Sequence, residues 1–197
     1  MDVHWLLPVL WVACQVFAGL LLADFATGVI HWFQDRYGDP SWPVIGHAIY
    51  MNQEHHKRPR FFLTGTLWKR NREVWMVCAA TALLLLFLDS LTTLSGSFAF
   101  FGIFANEVHG AAHRSARENG AFVRRLQRLG LIQSPDHHAA HHRRAKNTHY
   151  CTLTNWVNPV LDTTGFFPTI ERMIFLTSGV RPRPDPTVPA RFQDAAR

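Results

Sequence analysis

The sequence predicts an all-α integral membrane protein, with about three to four transmembrane helices and a histidine-rich, two-metal cap on the cytoplasmic side. Three observations predict it. Charge-free apolar runs alternate with basic segments. Every lysine and arginine is confined to two stretches of the chain. The histidines cluster where those stretches meet the apolar runs.

The first element is the run at residues 5–23 (WLLPVLWVACQVFAGLLLA), which contains no charge. A bilayer needs about 20 mostly apolar residues per helix, so this run spans on its own. It lacks a basic n-region and its apolar part is too long for a signal peptide. If the helix continues to Asp35 it is about 45 Å long at ~1.5 Å per residue and projects above the hydrocarbon. Residues 74–88 and 91–105 are equally apolar and are expected to form a hairpin turning near Asp89–Ser90. Buried helices of a soluble bundle are the competing reading; charge-free length favours the membrane.

No Lys or Arg precedes Arg36, and none lies between Arg72 and Arg114, so all 20 fall in 36–72 or 114–197. The positive-inside rule puts both segments in the cytoplasm and the N-terminus outside. The net charge of +6 and pI near 9.8 suit anionic headgroups, at ~1 kcal/mol per basic residue near the surface. A docking patch for an acidic protein is the second reading. Nucleic acid is disfavoured, because the basic runs carry no recognisable module. Cys14, Cys78 and Cys151 form neither a disulfide framework nor a zinc pattern.

The histidines map onto the expected helix ends. Residues 23–35 place Asp24, Gly28, His31 and Asp35 on one stripe, at i, i+4, i+7 and i+11. QEHHKRP supplies His55 and His56. NEVHGAAH puts Asn106, His109 and His113 on one face. HHAAHH supplies His138, His141 and His142, with His137 one residue earlier. Histidines at i and i+4 have Cβ atoms about 5–6 Å apart, close enough to hold one metal between them, and HxxHH adds a third on that face. One zinc needs three or four ligands, so about eight imidazoles suit two ions. With imidazole dominant, few carboxylates and no thiolate cluster, iron is preferred, followed by copper or zinc.

Blander readings stand beside these. HHAAHH alone is also a surface metal-scavenging patch, and HxxxH arises often by chance. Asp24 is expensive near a membrane interface. Asp35 either orients an imidazole, binds metal directly, or is a helix-end charge. Asn106 is placed to bind a metal-bound water or fix a tautomer. Residues 166–176 read as a short interfacial helix with Glu171 and Arg172 on its wet side, ended by Gly179. The chain is therefore one domain, 1–184, followed by a Pro-rich, disordered polar tail, 185–197.

The series ADF…G..HW..D.YG, HH.RP, N..H…H, H..HH…YC and G.RPR, over roughly residues 22–184, resembles the Kua/plasmanylethanolamine desaturase family. That family of histidine-rich membrane lipid desaturases includes the plant plastid phosphatidylglycerol palmitate desaturase type. The resemblance implies two irons held by His31, His55, His56, His109, His113, His138, His141 and His142. Asp24, Asp35 and Asn106 also fit the pattern. His137 fits some branches and is placed around the metals rather than on them. His47 and His149 are left out. QEHHKRPR leans towards the acyl type, and Asn106 towards the plasmanyl type.

The implied activity is O2-dependent introduction of a double bond into an acyl or alkyl-ether chain of a phospholipid. The electrons would come from an external donor such as a ferredoxin or a cytochrome b5-like protein. Arg124, Arg125, Arg128, Arg143, Arg144 and Lys146 form its candidate docking patch, with headgroup contact as the alternative. The chain would enter between the first and third helices, with Gly28, Gly102 and Gly110 leaving room. The rivals are a lipid hydroxylase on the same scaffold and a non-enzymatic metal-binding or transport protein. A zinc hydrolase is a third, without its HExxH. No GxGxxG or P-loop is present.

Overall fold

The computed structural model describes residues 4–143 and 147–184. Among them all regular structure is helical, with no strand. Arg144 and Lys146 of the basic patch, and the tail 185–197, lie outside the described residues.

Helix α1, Leu6–Arg36, is a single rod of 31 residues. At ~1.5 Å per residue it is about 46 Å long, more than a bilayer's hydrocarbon thickness. Its first half presents Leu7, Trp11 and Phe17 outward, and its second half buries Ala23, Asp24, Gly28, His31 and Trp32. This change of surroundings follows the sequence, whose polar residues begin at Asp24. Among the described residues α1 is the one helix long and apolar enough to cross a membrane.

The chain then turns over Asp39–Ile45, where the Asp39 carboxylate accepts the Ser41 N–H at 2.8 Å. Helix α2, Gly46–Lys57, returns across the end of α1. A short 3-10 turn, Pro59–Leu63, leads to α3, Leu67–Phe87, capped by the Thr66 hydroxyl. The chain reverses after Leu88 with Asp89 at φ 49°, at the expected place. Helix α4, Thr93–Ile103, opens on a capping box between Thr92 and Ser95. It packs along α1, where a Cβ on Gly19 would stand 2.6 Å from that of Ser97. None of its residues is buried.

The expected hairpin is thus present, but its arms differ from uninterrupted spans. The first turns of α3 carry Lys69, Arg70, Arg72 and Glu73. At 11 residues α4 is about 16 Å long, and it breaks at Phe104 before α5, Ala105–His113.

The remaining described residues pack against the ends of α1 and α5. Helices α6 (Gly120–Arg128) and α7 (Pro135–Arg143) precede an extended segment, 147–156. That segment lies against α1. The Asp24 carboxylate accepts the N–H groups of Leu153 (2.8 Å) and Thr154 (3.1 Å), and the Thr154 hydroxyl at 2.5 Å. A Cβ on Gly28 would meet Cys151 Sγ at 2.5 Å, so this glycine allows the segment its close approach.

Helices α8 (Val157–Thr163) and α9 (Phe166–Ser178) fold back on α1, enclosing Trp32, Tyr150, Cys151, Leu161 and Phe167. Gly179, at φ 71°, ends α9 as expected. Glu171, however, faces inward rather than to water. It receives Arg36 Nε at 2.7 Å and Trp32 Nε1 at 3.0 Å, while Arg172 is exposed. A carboxylate clamped by an arginine is better placed under a helix than the amphipathic pattern alone indicates.

Candidate metal centre

Four helices bring their polar ends together. Helix α1 contributes His31 and Asp35 one turn apart, α2 its last turn with His55 and His56, α5 His109 and His113, and α7 His138, His141 and His142. Their ligand atoms fall into two groups, each lying within 4.8 Å of one another. One holds His55, His113, His138 and His142; the other holds His31, Asp35, His56 and His141. His109 joins the first, with Nε2 3.0 Å from His138 Nε2 and 3.2 Å from His113 Nε2.

Hydrogen bonding cannot account for the first group. His138 Nε2 faces the Nε2 atoms of His109, His113 and His142 at 3.0–3.1 Å. One ring nitrogen has either one proton or one lone pair to offer, so it satisfies one such neighbour, not three. A cation among converging lone pairs satisfies them all, and nitrogens about 3 Å apart suit ligands of one ion at ~2.0–2.1 Å. His55 Nε2 is likewise buried without a hydrogen-bond partner. In the second group Asp35 lies centrally, 3.0 Å from His56 Nε2, 3.4 Å from His141 Nε2 and 3.6 Å from His31 Nε2.

The far sides of several rings are fixed by backbone carbonyls. Tyr150 O accepts from His31 Nδ1 at 3.1 Å and Thr148 O from His141 Nδ1 at 2.7 Å; Asn52 O accepts from His55 Nδ1. A proton held on Nδ1 leaves the Nε2 lone pair free for a metal. Burial keeps the imidazoles neutral as well. It pulls His55 and His138 well below the ordinary histidine range, helped by neighbouring imidazoles, and His113 down to about 4. Neutral imidazole is the form that binds metal.

The eight expected histidines are therefore together, but not on the faces that spacing implies. His138 and His142 turn to one group and His141 to the other; the adjacent His55 and His56 separate in the same way. The His55–His56 and His141–His142 pairs thus each reach both groups, because successive helical residues diverge by about 100°.

The other candidates are dispersed. Asp35 sits among the ligands. Asp24 lies two turns lower and anchors residues 153–154. Asn106 donates to Arg70 O at 2.6 Å, beside His109 on a cavity wall. His137 Nε2 accepts from Asn158 Nδ2 at 3.0 Å and its ring lies tilted against that of His149, outside both groups. His47 pairs with Glu73 at 2.9 Å and His149 with Asp162 at 3.0 Å. Sequence reasoning missed Asn52, Thr148 and Tyr150, which act through carbonyls and so leave no side-chain signal. It also missed Glu107, which ties α5 to Arg70 and Asn71 of α3.

A cavity of about 520 Å³ opens between α1, α2, α3 and α4 and reaches His31 and His109. Ala26, Ile30, Val77, Phe98 and Gly102 are among its mostly apolar walls. Of the three glycines expected to make room for a chain, Gly102 lines it; Gly28 faces Cys151, and Gly110 faces Leu63 and Phe62.

The chain resembles known proteins over most of its length. The chain is 36% identical over 175 residues to fatty acid desaturase 4-like 2, chloroplastic, of Arabidopsis thaliana, covering 85% of this chain and 61% of that one. It is 32% identical over 178 residues to plasmanylethanolamine desaturase of Myxococcus xanthus, covering 86% and 63%. Plasmanylethanolamine desaturase 1 of Mus musculus is 31% identical over 204 residues, covering 93% and 74%. The chain thus spans about three-fifths of the length of the first two. No solved structure matches. The family model described as a lipid desaturase domain matches residues 20–185, a range that contains the four histidine segments, and the chain belongs to the lipid desaturase domain family.

Proposed function

We propose that this protein is a membrane-bound lipid desaturase with two irons, acting on an acyl or alkyl-ether chain of a phospholipid. The observation that carries the reading is the pair of four-ligand groups at the wall of an apolar cavity. Iron suits a set of imidazoles with one carboxylate, because these ligands support more than one oxidation state. When bound, the metals would supply the O2-derived oxidant for a reaction in which –CH2–CH2–, O2, two electrons and two protons give –CH=CH– and two waters.

The chain's own residues do the rest. His31 and His109 present the ligand groups to the cavity, and the flanking apolar side chains hold the substrate chain and exclude water. The carbonyls of Asn52, Thr148 and Tyr150 hold the ring tautomers. Electrons must arrive from outside, from a ferredoxin or cytochrome b5-like protein. Exposed Arg125, Arg128 and Arg143 beside half-buried Arg124 support docking of an acidic partner.

The same reading places α1 across the bilayer with its N-terminus outside and the α3–α4 hairpin embedded from the cytoplasmic side. Support comes from the outward-facing Leu83, Leu84, Phe87, Phe100 and Phe104, a belt too apolar for water.

The test is metal content of the detergent-purified protein with lipid mass spectrometry of membranes expressing it. About two irons per chain and a lipid lighter by two hydrogens are expected. A lipid that gains oxygen would identify a hydroxylase. A single zinc, with no lipid change, would remove the desaturase reading.

A further inference from the structure

The cavity is apolar along most of its length, yet one end carries Lys69, Arg70, Glu73 and His47. Three of these are already engaged. Arg70 holds Glu107 through Nε at 3.0 Å and Nη2 at 3.4 Å, and gives Nη1 to Gly65 O at 2.5 Å. Glu73 takes Arg72 at 2.8 Å and His47 at 2.9 Å. Lys69 differs: it is exposed, and its ammonium has no hydrogen bond or ion pair with any described residue. Glu107 is shared with Arg114 at 3.1 Å, so four cations here face two carboxylates.

An apolar channel with an unpaired cation at its polar end fits an amphiphile whose head is an anion. We propose that Lys69 binds the phosphate of the phospholipid whose hydrocarbon chain fills the cavity, fixing which end of the lipid lies at the start of α3. The inference rests on the cavity being the substrate channel of the proposed desaturase. A lysine also suits such a wall, because its (CH2)4 stem can lie along apolar surface while its ammonium stays at a polar rim, and Lys69 lines the cavity. A long cation with no carboxylate partner among the described residues offers a full charge to the ligand, whereas Arg70 shares its charge with Glu107 and gives a further donor to Gly65.

The test compares two lipids that differ by the phosphate alone: phosphatidic acid and diacylglycerol with the same chains. Binding of each to the intact, metal-loaded protein is followed by native mass spectrometry from a non-ionic detergent. In Lys69→Met, phosphatidic acid is expected to bind about tenfold more weakly, the worth of one charge-assisted hydrogen bond, with diacylglycerol unchanged. Lys69→Arg should restore the phosphatidic acid, which a fold defect would not allow. Unchanged binding in Lys69→Met, or equal weakening of both lipids, would overturn the assignment. Displacement of phosphatidic acid by inorganic phosphate alone would assign Lys69 to free phosphate instead. Desaturated product is scored separately. Product without Lys69-dependent binding leaves the enzyme reading standing and removes Lys69; Lys69-dependent binding without product from the parent does the reverse.

Discussion

One ligand group draws its nitrogens from two i, i+4 pairs, His109–His113 and His138–His142, with His55 added from α2; the other takes His31 and Asp35 from α1, His56 from α2 and His141 from α7. The first is all imidazole and brings no charge. The second includes a carboxylate, so an ion bound there would sit beside one negative charge, which would favour its oxidised state. Two of the second group's rings, His31 and His141, are held by carbonyls of one extended segment, at Tyr150 and Thr148. Helix periodicity builds the first group. The second depends on residues that come close only after the chain has folded.

The strongest way to break this comparison is His138→Ala. It removes the nitrogen that faces three others, and desaturation should fall below detection with iron content reduced by at least half. Iron and product at parental levels would dismantle the all-imidazole group. Asp35→Asn tests the other side: it keeps the shape and removes the charge. Metal affinity of the second group should fall about 100-fold or more while the first keeps its ion. Mössbauer spectra should show two iron environments in the parent and one in the variant; a single environment in both would erase the distinction.

A milder blow falls on the supporting segment. Asp162 accepts the His149 N–H at 3.2–3.3 Å, with His149 at φ 59° between Thr148 and Tyr150, whose carbonyls accept from His141 and His31. Asp162→Ala should loosen His31 and His141 together and cost about tenfold in metal affinity. Loss confined to the all-imidazole group would contradict that route.

Acid should weaken the metal-free protein. His113 is pulled to about 4, and burial holds His55 and His138 well below the ordinary histidine range too, while unfolded histidines titrate near 6.5. Below about 6.5 the unfolded chain takes up protons that the folded state refuses. Stability is therefore full above that pH and is lost as pH falls towards 4, by up to about 1.4 kcal/mol per pH unit for each such imidazole. Melting temperatures that stay level across this window would argue against buried neutral rings.

The smallest effect belongs to Glu54→Ala, next to His55 in sequence. It breaks surface pairs to Lys57 and Arg58, and the melting temperature should barely move, with iron content unchanged. A large loss of iron would mean that α2 depends on its exposed face as much as on its buried one.

Much of this arrangement was legible before folding. His109, His113, His138, His141 and His142 announce themselves by i, i+3 and i+4 spacing, His31 by its stripe with Asp35 and His55 and His56 as a pair, and the turn at Asp89 and the stop at Gly179 by their residues. The division of His55 from His56, and of His141 from His142, was not legible: which ring turns to which group depends on where α1 and α5 stand. Asp24 reads as a functional charge in an apolar run, yet its partners are the N–H groups of Leu153 and Thr154, far along the chain. Glu171 reads as a wet-face residue because its partner, Arg36, lies in another helix. Backbone carbonyls are common to all residues, so Thr148 and Tyr150 carry no mark of their use.

The order in which the cap is closed has a consequence for how the protein is made. His31 meets the Tyr150 carbonyl across 119 residues, and Asp24 meets Leu153 across 129. Contacts of such separation form slowly, since the loop must close before they return anything. During synthesis α1 can enter the bilayer long before α7 emerges, so His31 and Asp35 wait as an incomplete site while most of the chain is still to come. Each ion would then be captured late, and once captured would act as a cross-link over loops longer than most disulfides close.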